Sequence, residues 1–152
     1  MSLPEAYAPL RYAAGQISHD QWPALKQAGL AAVINLRPDS EQPGVDEAAL
    51  VRAAGLAYHA LPIASGDDLD RVRVAHFAEL LQTHAGQPLL IHCASANRVG
   101  ALVALHAAWH QGMAAEEAIA LGRRAGLLGL EPCVRELLAD AWALPAGPAD
   151  ML

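Results

Sequence analysis

Cysteine is scarce: the 152 residues contain only Cys93 and Cys133. Two thiols are too few for a disulfide framework, or for a zinc site without many other ligands. A reducing compartment, with Cys93 read as a thiol, is the starting point. Positive charge is scarce as well, with 10 Lys and Arg against 16 Asp and Glu and a formal net charge of −6. That balance gives no general field for nucleic acid or an anionic membrane, so an anion must be held by local geometry and each Arg gains interest. Long apolar runs are missing too. His, Gly or Arg interrupts each one well short of the roughly 18 residues of a bilayer span, and "MSLPEAYAPLRYA" has no basic start followed by an apolar block. The expectation is a soluble cytoplasmic protein without membrane or nucleic-acid partners; no oligomeric state is legible.

With 54% hydrophobic residues, the chain can bury one substantial core. A single domain over 1–144 is expected, with the end of "LPAGPADML" as a tail, 145–152. An extended "YAPLRYAAGQI" comes first. Ser18 and Gln21 have capping-box spacing ahead of a helix in "DQWPALKQAG", and Gly29 suits its stop. "LAAVINL" (30–36) is a compact apolar strand, "RPDSEQPG" a loop, and "VDEAALVRAAG" a helix. "LAYHALPI" (56–63) reads as a second strand and "ASGDDLD" as a loop. "RVRVAHFAELLQTHAG" is a helix with Val72, Val74, Phe77, Leu80 and Leu81 on or near one face. "PLLIHC" is a third buried strand, and three helical segments follow from about Val99 to Trp142, separated by Gly112 and "GLLGLEP". Alternating strands and helices predict an α/β fold: a largely parallel sheet of four to five strands with helices on both faces.

In open α/β sheets ligands sit beyond the carboxyl ends of the strands, where loops feed helix N-termini. Cys93 stands at such an end. If "RVGALVALHAAWHQG" is a helix, the amides of "ASANR" and of its first turn converge, and the helix dipole adds about half a positive charge. Such surroundings can bring a cysteine pKa from about 8.5 to between about 3.5 and 7.5. Arg98 can grip two oxygens of a tetrahedral anion with its planar fork. A Cys ending an apolar strand is most often an inert core residue. What raises Cys93 is the sequence of strand, His-Cys, small-residue loop, Arg and helix. Ala94, Ser95 and Ala96 are small enough to let backbone amides approach a ligand. Cys133, at helical spacing from Leu137, reads as structural. His59, His76, His84, His106 and His110 show no metal-ligand spacing, although His106 and His110 share a helix face. No metal or cofactor is expected.

"IHCASANRVGA" resembles the signature loop of cysteine-dependent dual-specificity protein phosphatases. It is similar above all to the bacterial DUF442 group, named after the phosphatase-like domain of beta-lactamase hydrolase-like proteins. "GQISHDQWPALKQAGLAAVINLRPDSEQPG" is similar to that group's opening, and "GMAAEEAI" resembles the helix start after the active-site helix, so residues 15 to about 126 are covered. The resemblance implies a dual-specificity phosphatase fold and the removal of phosphate from a phosphomonoester. Cys93 would be the nucleophile, carrying a phosphocysteine, and Arg98 the clamp. The backbone from Ala94 through Ser95, Ala96, Asn97 and Arg98 to Val99 would cradle the phosphate, and His92 would support the thiolate. The general acid would be an Asp on the loop after the preceding strand. Asp67 aligns best and Asp68 is the reserve, though Asp67, Asp68 and Asp70 could simply solvate the loop or cap a helix beginning near Leu69. Arg37, with Asp39, could border the site.

Three positions depart from the pattern. Four residues separate Cys93 from Arg98 where the phosphatase loop has five, and the shorter spacing resembles rhodanese-type sulfurtransferases, which carry a persulfide. Ala96 stands where Gly is usual; if φ is positive there, Ala costs about 1 kcal/mol. Val99 replaces the Ser or Thr that helps the thiolate leave. A phosphatase-like hydrolase is the leading expectation, with a sulfurtransferase and a phosphate-binding pseudophosphatase as alternatives.

Overall fold

The computed structural model describes residues 2–139. The boundary expected at 144 and the tail 145–152 lie outside them. Five strands form one sheet: β1 (Ala6–Ala8), β2 (Arg11–Ala14), β3 (Ala32–Asn35), β4 (Ala57–Ala60) and β5 (Leu89–His92). The order across it is β1-β2-β5-β3-β4, parallel throughout except for the β1–β2 pair. The expected strands are all present. The extended opening segment proves to be an antiparallel hairpin turning at Leu10, whose φ is +61°.

Six helices cover the sheet: α1 (Trp22–Gln27), α2 (Glu47–Ala53), α3 (Arg71–Thr83), α4 (Asn97–Gln111), α5 (Ala115–Arg124) and α6 (Glu131–Ala139). They divide into two layers because side chains alternate along each strand. Ala32, Ile34, Leu89 and Ile91 face a core shared with Val74 and Phe77 of α3, Leu102 and Leu105 of α4, Ile119 of α5 and Val134 of α6. Val33 and Leu90 point the other way, onto Trp22 and Leu25 of α1 and Val51 of α2. Every residue of β3 and β5 is buried, as parallel strands covered on both faces require.

Two local expectations need correction. Ser18 precedes a short 3₁₀ turn, His19–Gln21, and makes no side-chain cap, so the capping-box spacing has no capping bond behind it. The third helix starts at Arg71, where "RVRVAHFAELLQTHAG" begins, and its cap is Asp70, whose carboxylate accepts from Arg73 N at 2.8 Å. Val72 is 77% exposed while Val74, Phe77 and Leu80 are buried. Two residues cover about 200° of helix, so Val72 falls opposite the stripe.

Candidate active site

Alternation along β5 continues into its end and sends His92 and Cys93 to opposite layers. His92, fully buried, lies on the α1/α2 side with its ring centroid 6.0 Å from that of Trp22. Cys93, also fully buried, joins the α3–α6 core. The loop after it is laced to the chain beyond β2: Cys93 N donates to Ala14 O at 3.3 Å and Gln16 N to Ala94 O at 3.1 Å, and Gly15 bridges Ser95. A Cβ on Gly15 would stand 2.7 Å from Ala94 O, so this approach requires glycine.

Ala96 then turns the chain in the left-handed region, with φ +69° and ψ −4°, directly before α4. The expected backbone demand at this position is therefore real, and a residue with a Cβ meets it. Among the described residues, the Gly15–Ser95 bridge is the backbone pairing of the Ala94–Ala96 loop, and in the first turn of α4 the first amide to donate to a backbone carbonyl is Gly100 N, on Ala96 O at 2.9 Å. The unpaired amides of Asn97, Arg98 and Val99 open a 15-residue helix, an end that favours anions. Asn97 contributes its amide only: its side-chain Oδ1 accepts from Leu128 N at 2.9 Å and Leu130 N at 3.2 Å, tying the loop to the α5–α6 connection. The Val99 side chain is fully buried.

Arg98, in the first turn of α4, extends its fork onto Glu41. Nη1 donates to Oε2 at 2.7 Å and Nη2 to Oε1 at 2.9 Å, and Nη1 also donates to Ile63 O at 2.8 Å. The bond to Glu41 holds the guanidinium pKa above its ordinary value; burial opposes this, and the nearby Cys93 thiol adds to it. Arg37 grips the same carboxylate, its Nε 3.1 Å from Oε1, and donates through Nη1 to Gln16 Oε1 at 2.9 Å. Glu41 is held below the usual carboxylate range, first by the bond to Arg98, with burial opposing and Arg37 assisting.

Beneath the loop lies a buried acid–imidazole pair. His92 Nε2 is 2.6 Å from Glu47 Oε2, while Nδ1 reaches Cys93 O only at 3.4 Å. Glu47 also accepts from Gln16 Nε2 at 3.1 Å and lies 3.8 Å from His19 Nδ1. Burial pushes its pKa up, but His92, Gln16 and His19 together outweigh this and leave it below the ordinary value.

The two candidate acids differ in their surroundings. Asp68 Oδ2 accepts from Ala64 N at 2.8 Å, and its other oxygen is 3.6 Å from Arg73. Asp67 is exposed and lines a groove of about 560 Å³ with Leu69, Trp109 and Cys133; among the described residues its carboxylate accepts no hydrogen bond. Cys133 is half-buried there, and burial raises its pKa. Loop, clamp, His92 and Arg37 thus come together around Cys93, whereas no contact joins Asp67 to Cys93 or Arg98 among the described residues.

Sequence reasoning missed Glu41, Glu47, Gln16 and Gly126. Glu47 had a signal: it precedes Val51 by four on a short helix, an acid on the inward stripe. Gly126, at φ +114°, is where a Cβ would stand 2.5 Å from the Cβ of Ala96. Glu41 is one acid in a polar loop and had none. Among the described residues no group of three or more His, Cys, Asp or Glu side chains could hold a metal ion, and no helix is long and apolar enough to cross a membrane.

Comparison with known proteins adds three findings. The family model described as "Beta-lactamase hydrolase-like protein, phosphatase-like domain" matches residues 8–110. A beta-lactamase hydrolase-like protein of Xylella fastidiosa strain Temecula1 is 36% identical over 116 residues, covering 74% of this chain and 26% of its own. The chain therefore spans about a quarter of the length of the curated relatives it matches. Among solved structures, a DUF442 protein from Shewanella putrefaciens CN-32 superposes with a TM-score of 0.72 at 28% identity, over 94% of this chain and 93% of that one. A kinase associated phosphatase with serine in place of its catalytic-site cysteine gives a TM-score of 0.72 at 19% identity, over 90% and 87% of the two chains, a likeness of fold.

Proposed function

Since the chain belongs to the family of beta-lactamase hydrolase-like protein phosphatase-like domains, we propose that it is a cysteine-dependent phosphatase hydrolysing a phosphomonoester. The observation that carries this reading is the set of free amides of Asn97, Arg98 and Val99 at the start of α4 with the Arg98 guanidinium beside the Cys93 thiol. These donors favour negative charge on the equatorial phosphoryl oxygens. The thiolate attacks phosphorus, the P–O bond to the leaving group breaks, and a phosphocysteine forms. An acid protonates the departing oxygen and, as a base, later takes a proton from the water that releases inorganic phosphate. Asp67 suits this role better than Asp68, whose oxygens are engaged by Ala64 N and Arg73. His92 acts through Glu47 and the backbone, holding the loop rather than touching substrate.

One observation favours a second reading, oxyanion binding without turnover. Val99, fully buried, offers no hydroxyl to the departing thiolate, and Ser95 is the nearest substitute in the loop. Purified protein is offered p-nitrophenyl phosphate in one assay and thiosulfate with cyanide in another. Phosphate release that disappears in Cys93→Ser supports the phosphatase. Thiocyanate without phosphate release points to sulfur transfer. Neither product, with a melting temperature raised by phosphate only while Arg98 is present, supports the binding protein.

A further inference from the structure

A cavity of about 310 Å³ lies away from the Cys93 loop, at the low end of the roughly 300–1,000 Å³ range of small-molecule pockets. Tyr7 of β1, Phe77 of α3, Val103 and His106 of α4 and Leu121 of α5 line it, with Arg11, which is in register with Leu89 at the amino end of β5. Cys93 follows the opposite end of that strand. Along α4, His106 comes eight residues after Arg98, about 12 Å further on, so the two sites are separate. Tyr7 is only 5% exposed, yet among the described residues its hydroxyl has no hydrogen-bond partner and is not sealed in by protein. A buried tyrosine ordinarily gives its O–H a partner, so the cavity is what this hydroxyl faces. Burial raises its pKa, with Arg11 opposing, and keeps it a neutral donor. The His106 ring stands edge-on to Phe77 with centroids 5.5 Å apart, and no hydrogen bond engages its nitrogens among the described residues. Burial and His110 push its pKa down to about 4, so at neutral pH it is an uncharged imidazole with one donor and one acceptor nitrogen.

Among the described residues no carboxylate lines the cavity. The Arg11 guanidinium is committed to the backbone: Nη1 donates to Leu10 O and Gln87 O at 3.2 and 2.9 Å, and Nη2 to Leu81 O and His84 O at 3.1 and 3.3 Å. An ion entering would lose water without gaining a free counter-charge, a cost that a neutral molecule avoids. We propose that this cavity binds a small uncharged molecule with an apolar body of one or two rings and a hydroxyl oxygen that accepts from Tyr7 and donates its proton to His106. The apolar body packs on Phe77, Val103 and Leu121. The site stands independently of the phosphatase reading, since it shares no residue with the Cys93 loop or the arginine clamp.

The test follows amide NMR spectra of the full chain at pH 7.5 as 2-naphthol, naphthalene or 2-naphthoate is added. 2-Naphthol carries the hydroxyl, naphthalene has the rings alone, and 2-naphthoate adds a negative charge. 2-Naphthol is expected to shift the signals of Phe77, Val103, His106 and Leu121 saturably, and to bind tenfold or more tightly than 2-naphthoate. Tyr7→Phe, which deletes the oxygen and keeps the ring, is expected to weaken 2-naphthol at least fivefold and to leave naphthalene binding unchanged. No saturable shifts at these residues, or equal binding of 2-naphthoate, would overturn the proposal. So would a Tyr7→Phe variant that binds 2-naphthol as the natural protein does, or one that loses naphthalene and 2-naphthol in parallel, because neither leaves the hydroxyl a direct role. None of these readouts involves turnover, so a lack of phosphate release from p-nitrophenyl phosphate counts against the phosphatase reading alone.

Discussion

Ala96 is the residue at which local preference and loop geometry conflict. Its φ of +69° lies where an L side chain is strained by about 1–2 kcal/mol, directly before the first residue of α4. Glycine relieves that strain but gains conformational freedom in the unfolded chain, an offset of about 0.4–1 kcal/mol. Ala96→Gly is expected to stabilise the protein by about 0.5–1 kcal/mol, a rise in Tm of roughly 2–4 °C read by calorimetry. A fall in Tm would mean that the contact of the Ala96 Cβ with the backbone around Gly126 outweighs the strain. The placement of Cys93 just past a buried strand and of Arg98 in the first turn of the next helix was legible in the sequence. Glu41 and Gln16 were not, because what matters about them is which distant side chain they meet: Glu41 reaches Arg98 across 57 positions and Gln16 reaches Glu47 across 31.

At the scale of elements, the site depends on how closely α4 and α5 approach. Gly100 and Gly122 face each other there. A Cβ on Gly100 would lie 2.0 Å from Leu127 N and 2.6 Å from Gly122 O, all backbone, so nothing nearby can give way by rotating. Gly100→Ala is expected to destabilise by at least about 3 kcal/mol, measured by urea unfolding, and to lower oxyanion affinity through the displaced first turn of α4. A loss below 1 kcal/mol would show that the helices can separate without disturbing the loop. Strand alternation was legible, and it carries the most consequential placement in the fold, His92 toward Glu47 and Cys93 toward α4. Helix ends were less so. Ser18 had the residue types of a capping box, but Pro23 at the start of α1 and the 3₁₀ turn ahead of it set that boundary instead. Val72 was read into a stripe that the 3.6-residue period excludes, because Val72 and Val74 alternate with arginine and obscure the phase.

Across the whole molecule, burial of ionisable groups gives stability a definite pH dependence. The His106 pKa is pushed down to about 4, first by burial and then by the His110 ring stacked 5.6 Å away, and that of His59 is lowered by burial and by His84. A histidine with a depressed folded pKa contributes stability that is complete above its unfolded value near 6.5 and is lost as pH falls toward the folded value. Unfolding free energy is therefore expected to decline between pH 6.5 and 4, with His106 accounting for about 1–2 kcal/mol after allowance for its partial exposure. Below pH 4.5, Glu41 and Glu47 add to the decline, since both carboxyls are held below their ordinary range. His106→Gln should flatten the upper part of the curve only; an unchanged slope would place the histidine in water. The same two-layer sheet that buries these groups carries the Cys93 loop at its carboxyl edge, and the central claim is that the thiol there takes a phosphoryl group. The direct measurement is acid quenching during turnover of p-nitrophenyl phosphate, followed by mass spectrometry of the peptide containing Cys93. The account predicts one phosphoryl group on Cys93 in the natural protein and none in Cys93→Ser; phosphate release with no adduct on that peptide, or with the Cys93→Ser variant fully active, would contradict it.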